Sequence, residues 1–155
     1  MSWRDVVLPA RLAVRPKSGQ GYPIPFVAIE DDGSGKPDFR ILNVERQMLC
    51  FDRQLCGICG QKLDYWCSLI GGELCEVNKV FVDPAMHEEC ALYAIQVCPF
   101  LRRDHSRYSH RPVPDRVVSD EYGDYDRPSV MMLFRTPSRW KVFSPISPLA
   151  NLSSM

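Results

Sequence analysis

Leu55-Cys56-Gly57-Ile58-Cys59-Gly60 and, after an interval of 27 residues from Cys59, His87-Glu88-Glu89-Cys90 are the two stretches on which the fold of this chain turns. Each offers two donor side chains separated by two residues, a gap that lets both reach a single ion. Sulfur and imidazole are the donors that zinc gathers into a tetrahedron. The first pair lies on a glycine-containing turn, and the second falls where a helical pattern begins. The competing account makes the four residues buried thiols and a core histidine. It has to place two chelating pairs on a turn and on a helix start by coincidence, so it is the weaker account. The expectation is one structural zinc ion held by Cys56, Cys59, His87 and Cys90, in a treble-clef-like order of knuckle, hairpin and helix.

Working outward, Trp66-Cys67-Ser68-Leu69-Ile70 reads as a short strand, Gly71-Gly72 as a turn and Lys79-Val80-Phe81-Val82 as the returning strand. Asp83-Pro84 ends that pair. From about Ala85 to Val97, Met86, Cys90, Ala94 and Val97, with Ala91, Ile95 and Cys98 beside them, make one helical face, and Pro99 stops it. Upstream, Asn43 is suited to cap a helix over roughly 44–54, where Val44, Met48, Phe51 and Leu55 recur at helical spacing. The β-prone run Tyr22 to Ile29, the turn residues 31–37 and Asp38 to Leu42 predict an N-terminal hairpin, with Pro23 and Pro25 marking an edge strand. Val130 to Phe134, a turn at Thr136-Pro137-Ser138 and Trp140 to Phe143 predict a C-terminal one. The result is a small α+β domain with two hairpins and two helices. It spans 1–155, with an arm at 1–20, a loop at 102–127 and a tail at 144–155 expected to be irregular.

Of the 155 residues, 45% are hydrophobic and 25% charged, a globular balance that permits one real core. Lys plus Arg equals Asp plus Glu at 19 each, which removes any global electrostatic drive toward nucleic acid or an anionic membrane. No run approaches the roughly 20 apolar residues that span a bilayer, and the N-terminus lacks signal-peptide grammar. Seven cysteines, several closely spaced, point in a reducing compartment to metal ligands and buried thiols, so a cytoplasmic location is expected. Cys50, Cys67, Cys75 and Cys98 have no partner at chelating spacing and read as core thiols.

Four protein donors close a zinc sphere, whereas a catalytic zinc keeps one position for water. The order of the donors also differs from that of zinc nucleobase deaminases: His87 is followed two residues later by Glu89, but the cysteine pair precedes the histidine instead of following it. A zinc-stapled ββα nuclease needs a histidine on the hairpin, and 60–82 has none. His105 and His110 lie in a basic segment with no identifiable partner. A non-enzymatic module that binds a protein is therefore the leading expectation. Nucleic-acid binding follows, because Arg102, Arg103, Arg107, Arg111 and Arg116 around Tyr108 suit phosphates and a stacked base, although the acidic run 120–126 opposes it. A zinc-dependent nucleic-acid-modifying enzyme comes third. Arg102, Arg103, Arg107, Tyr108 and Arg111 are the candidate contacts for either kind of partner.

The ordered set Gly21-Tyr22-Pro23-Ile24-Pro25-Phe26-Val27, Lys36-Pro37-Asp38-Phe39-Arg40, Leu55 to Gly60, Gly71-Gly72-Glu73-Leu74-Cys75, His87 to Ala91 and Cys98-Pro99-Phe100-Leu101 resembles a family of uncharacterised zinc-binding proteins of bacterial and bacteriophage genomes. The resemblance covers about residues 20–143 and is weakest over 102–127. It implies the same four zinc ligands, a prokaryotic or phage source, the cytoplasm of a prokaryotic host and no cofactor beyond zinc. For a phage protein without catalytic residues it implies a modulator of host machinery or defence.

Overall fold

The computed structural model describes residues 2–31, 33–102 and 132–137. They form an α+β arrangement of short helices and two antiparallel strand pairs built around the Cys/His cluster.

Residues 1–20, expected as an irregular arm, contain a 3-10 turn at Trp3–Asp5 and helix α1 at Ala10–Ala13. Ser2 and Asp5 cap the first reciprocally, each side chain taking a backbone N–H of the other end. Periodicity cannot reveal helices of three and four residues, but the packing explains them. Leu12 is 1% exposed and belongs to the main core, and the Trp3 ring stacks on Tyr22 with centroids 3.8 Å apart. Arg11 then reaches three points of the domain at once. Its guanidinium donates to Asp64 at 3.1 Å, Gln61 at 3.3 Å and Glu89 at 2.8 Å.

The N-terminal hairpin is present in reduced form, as β1 at Ala28–Ile29 against β2 at Asp38–Leu42. Its turn is organised by Asp31, whose Oδ1 accepts the N–H groups of Gly33 and Gly35, both at 2.8 Å. β1 is only two residues long because the backbone before it is used elsewhere. Phe26 N–H donates to Ile58 O at 2.9 Å and Val27 N–H to Gly57 O at 3.1 Å, so this segment pairs with the cysteine turn.

Helix α2 occupies Val44–Arg53, and Asn43 caps it by accepting Arg46 N–H at 3.0 Å. Glu45 in its first turn and Arg53 in its last complement the helix dipole. The side chain it buries is Cys50, while Val44 and Met48 of the expected apolar stripe stay about half exposed.

Two expectations for the middle and the end of the chain are corrected. Strand β3 forms at Trp66–Gly71, but Lys79-Val80-Phe81-Val82 is not its returning strand; the chain instead turns into α3 at Glu73–Asn78. The partner of β3 is β4 at Met132–Pro137, paired in continuous register from Trp66↔Pro137 to Gly71↔Met132. Thr136 and Pro137, expected in a turn, therefore belong to that strand. The second half of the expected C-terminal hairpin, 140–143, lies outside the described residues, as do most of the 102–127 loop and the 144–155 tail. The β-branched and aromatic run Val80-Phe81-Val82 has strand propensity, but propensity describes a fit to a half-buried pleated surface. Here β4 takes that place.

Helix α4 runs over Glu88–Val97, slightly shorter than expected, with His87 at its N-cap, and α5 at Pro99–Arg102 follows immediately. Cys90, Ala91, Tyr93 and Val97 are its buried residues. They meet Leu12, Leu63, Cys67, Ile70, Met86 and the cysteine turn in one core.

Candidate metal centre

Three backbone pairings bring the two donor stretches together. Gly57 N–H donates to Ala85 O at 3.0 Å, and Ser68 and Met86 exchange two bonds, at 2.7 and 2.9 Å. Residues 85–86 are thus held between the cysteine turn and β3, and the next residue, His87, enters α4 directly over that turn. The turn is closed by Gly60 N–H on Cys56 O and Cys56 N–H on Gln61 O, both 2.8 Å. Gly60 is required twice over. Its φ is +76°, and a Cβ there would lie 2.6 Å from Cδ2 of the Phe26 ring.

The donor atoms of Cys56, Cys59, His87 and Cys90 all lie within 4.8 Å of one another, and all four residues are buried. Among the described residues this is the one such group. Cys59 Sγ and His87 Nδ1 are 3.4 Å apart. A tetrahedral ion with metal–sulfur and metal–nitrogen bonds of about 2.3 and 2.0 Å separates such atoms by about 3.5 Å, so the spacing fits an ion at the centre. Two backbone amides, of Cys59 at 3.5 Å and His87 at 3.4 Å, donate to Cys56 Sγ and favour its thiolate.

The imidazole is oriented from behind. His87 Nε2 lies 2.9 Å from Lys62 O, and a carbonyl can only accept, so Nε2 carries the hydrogen and Nδ1 is the nitrogen that presents a lone pair to the sulfurs. Asp64 Oδ2 stands 3.9 Å from Nε2 and is itself held by Arg11. The cluster also calls for positive charge. Hydrogen bonds from Cys59 and Cys90 hold the Cys56 thiol far below its ordinary range, whereas Cys90, facing Cys56 and Cys59, is driven far above it. Contacts with Cys56 and Cys59 push His87 up to about 10. Without a cation the group therefore retains protons; a metal ion takes their place.

Of the remaining cysteines, Cys50 and Cys67 are buried thiols. Burial, with Cys56 and Cys59 adding to it, pushes Cys50 up to about 12. Burial and Cys56 push Cys67 up to about 11, and its Sγ–H donates to Thr136 O at 3.3 Å across the β3–β4 pair. Cys75 and Cys98 are half-buried, and none of the seven is in a disulfide. Glu89, the glutamate that suggested deaminase chemistry, has its carboxylate tied to Arg11. Of the residues predicted to touch a partner, Arg102 ends α5, while Arg103, Arg107, Tyr108 and Arg111 lie outside the described residues. Sequence reasoning missed the outer support of the site. Arg11 and Glu89 meet across 78 positions, and Lys62 contributes only its carbonyl, for which no side-chain pattern could serve as a signal.

No helix among the described residues is long and apolar enough to cross a membrane. No protein-family model matches the chain, and no curated protein or solved structure is significantly similar to it.

Proposed function

We propose that this chain is a zinc-stabilised interaction module whose exposed surface binds a protein partner. Three cysteines and one histidine form the donor set zinc favours in closed structural sites, and four protein donors leave no position for a reacting water. A turn carrying two donors and a helix whose start carries the other two support a treble-clef-like reading, with β4 standing where the expected returning strand of the hairpin would be. Seven cysteines free of disulfides suit a reducing compartment, and the family resemblance adds support for the cytoplasm of a prokaryotic host, where a phage-encoded modulator would act.

The observation that carries protein binding is the aliphatic surface of α3 and the segment after it. Leu74 and Val77, one helical turn apart, are each 75% exposed, and Val80 and Val82 follow at 55% and 73%. Single exposed aliphatics are ordinary, but four within nine residues make the kind of patch that partners cover. The test is affinity purification of the tagged chain from host lysate, with and without nuclease, alongside a Leu74→Glu/Val77→Glu variant. A nuclease-resistant protein retained by the parent and lost by the variant is the expected result. Recovery dominated by nuclease-sensitive nucleic acid would transfer the function to the arginine-rich segment after α5.

A further inference from the structure

Beside the metal centre, the start of β3, the first two turns of α4 and β4 enclose an open groove of about 590 Å³. Tyr65 and Trp66 form one corner of it, edge to face with centroids 5.3 Å apart, and both rings are about half exposed. The Arg135 guanidinium lies 4.9 Å from the centre of the Trp66 ring, so this ring already accepts a cation from its own chain. The acidic residues of the lining are Glu88, Glu89 and Asp64. Arg11 pairs with the last two and offsets one of their two charges, while Glu88 is exposed and makes no ion pair among the described residues. Leu92 supplies an apolar floor one turn further along α4. With a zinc ion bound, the three cysteine thiolates would add about one further negative charge behind His87. Aromatic faces, a free carboxylate and a negative background together favour a cation over an anion.

We propose that this groove binds a lysine- or arginine-bearing segment of a protein partner. The cation rests on the Tyr65–Trp66 corner with Glu88 as counter-charge, and a neighbouring apolar side chain lies on Leu92. The proposal rests on the protein-binding reading and names the chemistry of the partner. Arg135 occupies the platform in the free protein and is displaced by the incoming cation.

The test is a calorimetric titration of the full chain with two capped pentapeptides, one alternating leucine with lysine and one alternating leucine with glutamate, with the Trp66 indole N–H as a second readout wherever that residue is retained. Circular dichroism serves as the fold control for each variant. The lysine peptide is expected to bind and the glutamate peptide not. Trp66→Ala and Glu88→Lys should each weaken the lysine peptide by about tenfold, the scale of one desolvated cation–aromatic contact. Arg135→Ala should tighten it, because the competing guanidinium is gone. Binding of the glutamate peptide with loss on Arg135→Ala overturns the proposal in favour of an anion site. Equal binding by parent and Trp66→Ala, or no binding of the lysine peptide at millimolar concentration, overturns it outright. The two readings fail separately. A lysate partner retained equally by parent and Trp66→Ala sinks the groove and leaves protein binding standing, whereas peptide binding with the expected signs and no lysate partner does the reverse.

Discussion

The cysteine turn at 56–60 and the α3 segment at 73–82 lie within one stretch of chain, between α2 and α4, yet they are held in different ways. Each backbone group of the turn that matters has a named partner: Phe26 and Val27 on one side, Ala85 on another, and two amides aimed at Cys56 Sγ. The α3 segment has helical bonds, a hydrogen bond from Gln47 Nε2 to Val82 O at 2.8 Å and the edge-to-face contact of Phe81 with Phe134 at 5.1 Å, and it turns its aliphatic side chains to solvent. Stability is thus concentrated where donors converge, and the most exposed aliphatic stretch lies where they do not. A protein built this way can lose a side chain in the second region cheaply and in the first only at large cost.

The sharpest way to break that contrast is through the metal. Cys90→Ser should lose the ion and unfold the centre of the domain, since zinc binding in comparable small sites contributes on the order of 10 kcal/mol at neutral pH and is inseparable from folding. Cys75→Ser should keep about one ion per chain and an unchanged melting temperature. Metal analysis and thermal melting of the two variants decide it; an intact ion in Cys90→Ser would remove that residue from the donor set. pH gives a second handle on the same site. In the metal-free protein His87 has a pKa raised to about 10 from an ordinary 6.5. Its contribution to apo stability is therefore complete below about 6.5 and is lost as pH rises toward 10. Metal binding must expel that proton at neutral pH. The destabilisation caused by a chelator should accordingly grow from pH 6 to pH 9, read as the difference in melting temperature with and without it.

What could be read in the sequence follows the same division. The four donors, the Asn43 cap, the turn at Asp31 and the helix ending before Pro99 are local chemistry, each visible within a few residues. The pairing of β3 with β4 joins residues more than sixty positions apart, and no spacing in residues 66–82 signals it. Val80-Phe81-Val82 looked like a strand because β-branched residues fit a sheet, but a strand exists only where a partner edge is free, and β3 meets β4 on one side and Met86 on the other. Residues 1–20 misled for a related reason. A buried leucine, the Trp3–Tyr22 stack and the contacts of Arg11 and Arg15 hold that segment, and none of them produces a periodic pattern.

Leu12 sharpens the contrast at an intermediate scale. Truncating a fully buried leucine costs about 2–5 kcal/mol, depending on how far the cavity collapses. Leu12→Ala should fall in that range by denaturant unfolding of the metal-loaded protein, whereas Leu74→Ala should stay within about 0.5 kcal/mol of the parent. A small effect at Leu12 would return the first twenty residues to a dispensable arm.

Glycine at two positive-φ turns divides backbone strain from packing. Gly33 has φ +92° and nothing within 4 Å of an added Cβ, so Gly33→Ala should cost about 1 kcal/mol through the left-handed backbone alone. Gly60→Ala carries the same strain and drives a methyl into Phe26, whose ring centre lies 5.6 and 5.1 Å from the guanidinium groups of Arg15 and Arg46. Overpacking adds about 1–3 kcal/mol, so the cost there should be two to four times larger, roughly 2–4 kcal/mol in total. Equal losses at the two positions would mean that Phe26 can move aside and that the contact of the 26–27 segment with the cysteine turn is looser than its hydrogen bonds indicate.

The smallest expected effect belongs to the ion pairs that brace this contact. Glu30 Oε1 accepts from Arg46 at 2.8 Å and from Arg15 at 3.0 Å, and the bond to Arg46 is the main cause that holds its carboxyl below the ordinary range. A carboxylate with a depressed folded pKa contributes stability above its unfolded value, and the contribution disappears as pH falls through the folded value. Its side chain is 38% exposed, so solvent screening limits the gain to about 0.5 kcal/mol. Glu30→Gln should therefore be slightly less stable than the parent at pH 7, with the difference vanishing under acid conditions and in high salt. Measuring the two proteins across that range separates charge from shape, because glutamine can still accept from either arginine but cannot titrate. A difference that persists unchanged in acid would assign Glu30 a packing role, and the arginines would then act on Phe26 alone.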